Sequence, residues 1–178
     1  MQEALQPEGD RFKVPPLDTI QSALGMTGLR IIVKEVGQGF GKNSMKALMK
    51  LPLQSIEFGA HGGTNFSKLE LLRSDEQKMK IFAPLTGVGH TAEEMTGFVN
   101  DLKSELGGEC KVKEFIVSGG VKNYLDGYYF INKIQFKSVY GQASGFLKYA
   151  TGDYENLRNY INGQLQGYKL AKSFLRIK

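Results

Sequence analysis

Short apolar runs alternate along the chain with longer segments of helical periodicity. The first run, residues 29–34, is rich in branched aliphatic side chains and ends in a charge. A continuous run of this kind is typical of a strand buried on both faces of a parallel sheet. Three further runs begin near residues 54, 114 and 137. Strands are therefore predicted at 29–34, 54–58, 114–118 and 137–140.

Helices are predicted to follow the strands. In the segment 91–106 the apolar residues recur at helical spacing and define one face. Asp153 is a plausible cap for a last helix that reaches about residue 174. The segments 1–16 and 59–90 are predicted to be mostly irregular. Within 59–90, the string Gly62-Gly63-Thr64-Asn65 is either a third ligand loop or a turn followed by a helix that Thr64 or Asn65 caps. A strand followed by a glycine loop and a helix, repeated four times, predicts right-handed βαβ units, an α/β fold and a parallel sheet. The other predicted helices are 17–24, 43–50 and 123–133.

Glycine-rich loops follow the predicted strands at their carboxyl ends, where α/β folds bind ligands. Gly119 and Gly120 follow the third strand, and Gly141 follows the fourth. Small residues there allow backbone N–H groups to approach a phosphate, and a helix N-terminus behind each loop adds positive charge. Two tight turns that need glycine would leave the same pattern, so both explanations stay open.

Two other groups of residues are candidates for chemistry. Lys34 ends a predicted buried strand, where a lysine is costly unless its ammonium reaches solvent or meets an anion. A surface position or a pair with Glu35 is the alternative. Near the start, Glu3, Glu8 and Asp10 could bind Mg²⁺ through oxygen ligands, or they could simply be a solvated terminus.

Composition narrows the function classes. The chain has 178 residues, enough for a single domain over 1–178, and a formal charge of +5. This charge suits an anionic ligand, but no basic run marks a nucleic-acid arm, so no nucleic-acid partner is expected. The single cysteine, Cys110, excludes a disulfide framework. No apolar run reaches the ~18 residues of a membrane span, and no leader opens the chain, so a cytoplasmic protein without membrane contact is expected.

Four strings, in the same order, resemble one known family. They are residues 2–11 (QEALQPEGDR), 33–37 (VKEVG), 62–66 (GGTNF) and 118–120 (SGG). Together they resemble type 2 isopentenyl-diphosphate delta-isomerases, which are flavin-dependent (β/α)8 TIM barrels. The resemblance runs from residue 2 to about residue 147. The first two strings are the more specific, since many flavin barrels share the glycine loops.

The resemblance implies an activity and a set of cofactors. The reaction would interconvert isopentenyl diphosphate and dimethylallyl diphosphate with no net redox change. FMN, reduced typically by NADPH, would act as acid and base, and Mg²⁺ would hold the substrate diphosphate. Members of the family assemble as homo-oligomers, so a homo-oligomer is expected as well.

The resemblance also implies roles for individual residues. Gln2 resembles a glutamine beside the substrate hydrocarbon, and Glu3 resembles the metal-binding carboxylate. Lys34 resembles a lysine next to the flavin ring, where its charge would stabilise the reduced cofactor. Two segments depart from the family, since Lys122 stands where relatives often carry arginine and 87–91 replaces a Trp-Gly-Ile-Pro-Thr-like string. The residues that resemble the FMN-phosphate cradle are Thr64, Gly119, Gly120, Lys122, Gln142 and Ala143.

The number of strands predicts half a barrel. A closed (β/α)8 barrel takes about 250 residues, and the four strands here resemble the fifth to the eighth. The chain is therefore expected to be the C-terminal half of an FMN-dependent barrel, inactive without a partner that supplies the N-terminal half. Two alternatives remain, another FMN-dependent barrel oxidoreductase and a non-catalytic phosphate-binding remnant. A 2-hydroxy-acid oxidase would need a His-Gly-Gly-Arg-like string, whereas Thr64 follows His61-Gly62-Gly63.

Overall fold

A computed structural model describes residues 1–177 as four strands with helices before, between and after them. Short 3₁₀ turns lie at Ala83–Gly87 and Gly107–Glu109. The strands are β1 (Ile32–Lys34), β2 (Ser55–Glu57), β3 (Glu114–Val117) and β4 (Lys137–Tyr140). The helices are α1 (Gln2–Leu5), α2 (Pro16–Thr27), α3 (Lys42–Met49), α4 (Phe66–Leu72), α5 (Glu76–Phe82), α6 (Ala92–Leu106), α7 (Tyr124–Lys133), α8 (Ser144–Ala150) and α9 (Tyr154–Phe174).

The strands form one parallel sheet in the order β1-β2-β3-β4. Val33, Ile56 and Phe115 are aligned across the first three strands. Because all neighbouring strands pair in parallel, every strand end that carries a glycine loop lies at the same edge of the sheet. This arrangement positions the candidate site.

The hydrophobic core lies on one face of the sheet, against α3 and α6. Ile56, Phe115 and Val117 are fully buried there. On the edge strands, Ile32 and Val139 point to the opposite face and are 52% and 58% exposed. The α6 face predicted from its periodicity is confirmed, since its apolar residues pack into this core. The core side chains from these helices are Met45, Leu48, Met49, Met95, Val99, Leu102 and Leu106.

The structure corrects several local predictions. β1 has three residues and alternates between exposed and half-buried side chains, so it is an edge strand rather than a strand buried on both faces. The segment 59–90, predicted to be mostly irregular, contains α4 and α5. The alternative of a helix after the Gly62-Gly63 turn is confirmed for α4, which Asn65 caps. A short helix, α1, forms at the start of the chain, and α8 was not predicted at all.

The fold class also needs correction. The α/β class and the four parallel strands are confirmed. The sheet of residues 1–177 is open, with β1 and β4 each paired on one side only, so the prediction of a (β/α)8 TIM-barrel fold is wrong for this chain. Glycine loops at strand ends occur in open parallel sheets as well as in barrels, and they do not distinguish the two. No helix within residues 1–177 combines the length and apolarity needed to cross a bilayer.

Candidate functional site

A cavity of about 580 Å³ opens at the carboxyl ends of all four strands. This is the volume of a small-molecule or cofactor site. The cradle residues predicted from separate stretches of the chain meet in it, with Lys34 from the end of β1. Lys122 is the one predicted cradle residue that does not line the cavity. The predicted residues that line the cavity are Lys34, Thr64, Gly119, Gly120, Gln142 and Ala143.

Backbone packing explains part of the glycine pattern. A Cβ atom on Gly62 would lie 3.1 Å from the Gly120 Cα, and one on Gly63 would lie 3.3 Å from the Gly119 Cα. Gly119 itself has a φ of +87°, and a Cβ there would overlap the backbone of Ala60. The loops after β2 and β3 therefore touch backbone to backbone, which only glycine allows.

The remaining loop backbone is free to bind an anion. Gly141 donates its N–H to the Val117 carbonyl oxygen at 2.8 Å. Within residues 1–177, no protein acceptor is found for the backbone N–H groups of Gly120, Gln142 and Ala143. Free N–H groups on small residues beside an open cavity are the donors that a phosphate group requires. The loops after β3 and β4 therefore offer donors of the kind a phosphate needs, and a phosphate bound there stays a prediction.

The loop after β1 is not available to an anion, because a carboxylate of the chain already fills it. The Glu35 Oε2 atom accepts the N–H groups of Gly37, Gln38 and Gly39 at 2.7, 2.6 and 2.7 Å. These three donors form a backbone anion nest. An external phosphate is therefore confined to the neighbourhood of the later loops.

Lys34 places a positive charge at the cavity. Its side chain is half exposed, and its Nζ donates to the Glu35 carbonyl oxygen at 3.0 Å. The Glu57 Oε1 atom lies 3.9 Å from the same nitrogen. A pair this long and this exposed contributes little free energy, so the ammonium stays able to interact with an anion in the cavity.

Sequence reasoning missed the role of Glu57 and of the Ser118 hydroxyl. Ser118 Oγ donates to Glu57 Oε1 at 3.0 Å and accepts the N–H of Gly59 at 3.1 Å. The parallel register aligns Lys34 with Glu57, so both side chains point to the same face of the sheet. Side chains alternate between the two faces along each strand, so pairing the strands in this register would have placed Glu57 beside Lys34.

Lys122 lies beside the cavity rather than in its wall. Its side chain is exposed, its backbone N–H donates to Asp126 Oδ2 at 2.8 Å, and its carbonyl oxygen accepts from Gln142 Nε2 at 2.6 Å. Gln142 thus lines the cavity while its side-chain amide bonds the neighbouring loop. A phosphate contact by the Lys122 ammonium stays a prediction.

Gln2 and Glu3 lie apart from the cavity wall, on α1 where it packs against α4. Gln2 Nε2 donates to Glu70 Oε1 at 3.4 Å, and Glu3 Oε1 accepts the backbone N–H of Phe12. Among residues 1–177, no three histidine, cysteine or acidic side chains are grouped to hold a metal ion. The residues present therefore do not fit a Mg²⁺ site by themselves.

The two histidines and the cysteine add no catalytic group to the cavity wall. His61 donates its backbone N–H to the His90 carbonyl oxygen at 2.8 Å, which brings together two segments that nothing in the sequence connects. Burial raises the pKa of the Cys110 thiol. A thiol shifted in this direction is a poor nucleophile at neutral pH.

Comparison with known proteins finds similar sequences that share one name. The chain is 33% identical over 177 residues to the isopentenyl-diphosphate delta-isomerase of Bacillus licheniformis, covering 98% of this chain and 47% of that protein. It is 28% identical over 163 residues to the protein of the same name from Bdellovibrio bacteriovorus, covering 90% of this chain and 44% of that protein. The chain therefore spans about half the length of these relatives. No protein-family model matches it.

These relatives support a less specific statement than the type 2 family. Their names give the isomerase reaction and carry neither a type nor a flavin. The narrower prediction of the type 2 family goes beyond what they support, and we withdraw it. The likeness that stands is to isopentenyl-diphosphate delta-isomerases.

Proposed function

We propose that this chain forms the phosphate-binding part of an enzyme that interconverts isopentenyl diphosphate and dimethylallyl diphosphate. The observation that carries the proposal is the single cavity that collects Lys34, Thr64, Gly120 and Ala143 at the carboxyl ends of four parallel strands. Relatives named for this reaction match 98% and 90% of the chain, which makes the isomerase the function to test first.

The proposed cofactor is FMN. In its reduced form it would supply a proton donor for the substrate alkene and a proton acceptor for the neighbouring carbon, with no net redox change. The residues here bind and orient it. The free N–H groups of Gly120 and Ala143 and the hydroxyl of Thr64 would hold the phosphate. The Lys34 ammonium would stabilise negative charge on the reduced ring system.

Glu57 has a separate part in this proposal. Its carboxylate is fixed by the Ser118 hydroxyl and lies 3.9 Å from the Lys34 ammonium. At that distance the pair contributes little free energy, so Glu57 leaves the ammonium available to an anion in the cavity. No step is assigned to a metal ion, because Glu3 is not grouped with further ligands.

Turnover is proposed to require the part of the relatives' length that this chain does not match. Gln2, the residue predicted to lie beside the substrate hydrocarbon, packs against Glu70 outside the cavity wall. A complementary half of the isomerase is therefore the proposed protein partner.

The first test is a ligand titration of the chain alone, followed through the fluorescence of the flavin. FMN should bind saturably. Riboflavin, which lacks the phosphate, should bind at least about 100-fold more weakly, since two or more charge-assisted hydrogen bonds of about 1.5–3 kcal/mol each are lost. Equal affinity for the two flavins, or no binding of FMN, would contradict the proposed phosphate cradle.

The second test is an activity assay with isopentenyl diphosphate, reduced FMN and Mg²⁺. The chain should be inactive alone and active after addition of the unmatched portion of the Bacillus licheniformis relative. Full turnover without that portion would refute the need for a partner. FMN binding with no turnover in either mixture would favour a phosphate-binding module over an isomerase.

A further inference from the structure

One stripe of α9 faces the two glycine loops of the cavity. Tyr160, Gln164 and Gly167 follow one another at intervals of four and three residues, so they share one side of the helix. Gly167 is buried, and both other side chains are half-buried. None of the three lines the cavity, so any effect they have on a ligand acts through other residues.

Gln142 connects the loop after β4 to the loop after β3. Its Nε2 atom donates to the Lys122 carbonyl oxygen at 2.6 Å and to the Tyr160 hydroxyl at 3.4 Å. The backbone N–H of the same residue is among the free donors at the cavity. Tyr160 therefore holds a side chain whose own backbone forms part of the proposed phosphate cradle.

Gln164 supports the other loop one helical turn further along α9. Its Oε1 atom accepts the N–H of Tyr124, the first residue of α7, at 2.9 Å. Tyr124 is four residues beyond Gly120, where the loop after β3 meets α7. The Tyr124 ring packs over Gly167 so closely that any Cβ on Gly167 would overlap it.

The Gln142–Tyr160 contact depends on a missing side chain in α8. A Cβ atom on Gly145 would lie 2.6 Å from Gln142 Nε2 and 2.8 Å from the Tyr160 hydroxyl oxygen. The Tyr160 ring is also fixed by stacking on Tyr149, with ring centroids 4.3 Å apart. The hydroxyl is thus held in one place by packing on both sides.

We infer that α9 is a brace that sets the spacing of the two phosphate-binding loops, with Tyr160 and Gln164 as its positioning residues. The inference rests on the proposed phosphate site. Loss of either contact lets one loop move relative to the other, so that the free N–H groups no longer converge on one phosphate. Affinity for the phosphate of FMN then falls, while contacts to the flavin ring are unaffected.

The test uses two pairs of matched variants. Y160F removes the hydroxyl, and Y154F removes an exposed hydroxyl from the same helix. Q164L removes the amide that holds Tyr124, and Q166L removes an exposed amide two residues away. The affinities of FMN and riboflavin are measured for all four, together with melting by circular dichroism.

Y160F and Q164L should each weaken FMN binding by about 3–10-fold, the equivalent of one hydrogen bond, and leave riboflavin binding unchanged. Y154F and Q166L should alter neither. The inference is overturned if the ratio of FMN affinity to riboflavin affinity in both brace variants equals that of the unsubstituted chain. This holds whether neither affinity changes or both fall by the same factor.

Hydrogen exchange separates this inference from the proposed function. In the chain without ligand, amides of residues 118–126 and 141–146 should exchange faster in Y160F and Q164L than in the two control variants. Unchanged exchange refutes the brace even if FMN binds. Faster exchange in a chain that does not bind FMN supports the brace and refutes the cofactor.

Discussion

Substitution of Gly119 by alanine tests the backbone contact between the loops after β2 and β3. Gly119 has a φ of +87°, and its new Cβ would lie closer to the Ala60 backbone than the 3.0 Å that real Cβ atoms keep. A non-glycine residue at positive φ costs about 1–3 kcal/mol. Overpacking against rigid neighbours costs about 1–3 kcal/mol more. The free energy of unfolding should therefore fall by at least about 2 kcal/mol.

Thermal unfolding followed by circular dichroism measures this loss. For a chain of this size, 1 kcal/mol corresponds to about 2–4 °C, so G119A should melt at least about 4 °C below the unsubstituted chain. Gly108 provides a matched control, because it has no atom within 4 Å of an added Cβ and no positive φ. G108A should stay within about 0.5 kcal/mol of the original stability. Equal melting temperatures for G119A and G108A would refute the close contact.

Three further substitutions test other contacts. S118A removes a buried hydroxyl that accepts one backbone N–H and donates to a carboxylate, and should lower the free energy of unfolding by about 1–3 kcal/mol in urea; an unchanged urea midpoint would contradict this. T91A removes the side-chain cap of α6 and should lower the free energy of unfolding by about 1 kcal/mol. An unchanged urea midpoint would show that other contacts hold the start of the helix. K46M tests a pH dependence: the hydrogen bond and charge of Lys46 lower the pKa of Glu105, so the pair stabilises the fold above the ordinary carboxyl pKa and loses that contribution as the pH falls through the lowered value. K46M should therefore be less stable than the unsubstituted chain at about pH 7, and this difference should shrink as the pH falls below the ordinary carboxyl pKa of about 4; a difference that does not shrink in acid would argue against the ion pair.

The parts of the fold that sequence reasoning predicted are those with strong local signals. The helix 91–106 has both a regular apolar face and a capping box, in which Thr91 and Glu94 bond each other's backbone. The last helix begins after Asp153, whose side chain accepts the N–H of Asn156. Periodicity and capping are properties of adjacent residues, so a single sequence reveals them.

Helix α5, which was not predicted, lacks such a pattern. It begins at an Asp75 cap and buries none of its residues, and its own Ile81 is exposed, as is Leu72 at the end of α4. With no buried face there is no periodic signal to detect. The prediction of an irregular segment failed for this physical reason.

The residues of the candidate site also fall into a group that the sequence predicts and a group that it does not. The glycine loops were predicted because parallel strands bring their carboxyl ends together. The anion nest around Glu35 and the contact between Glu57 and Ser118 were missed, because each depends on the conformation of a loop or on strand register. The role of Gln2 came from the resemblance alone, whereas Glu3 was also a member of the acidic group near the start. The structure separates both from the cavity wall.

The order in which the strands pair also affects how the cavity forms as the chain folds. β1 and β2, like β3 and β4, join residues 23 positions apart, whereas β2 and β3 join residues 59 positions apart. Closing the longer loop costs about 0.8 kcal/mol more in chain entropy, so the two outer strand pairs can assemble before the central one. Gly62 and Gly120 lie on opposite sides of that central junction, so the phosphate cradle is completed only when the two early-forming units dock. A ligand bound there would slow their separation, and its dissociation rate would report on how often the middle of the sheet opens.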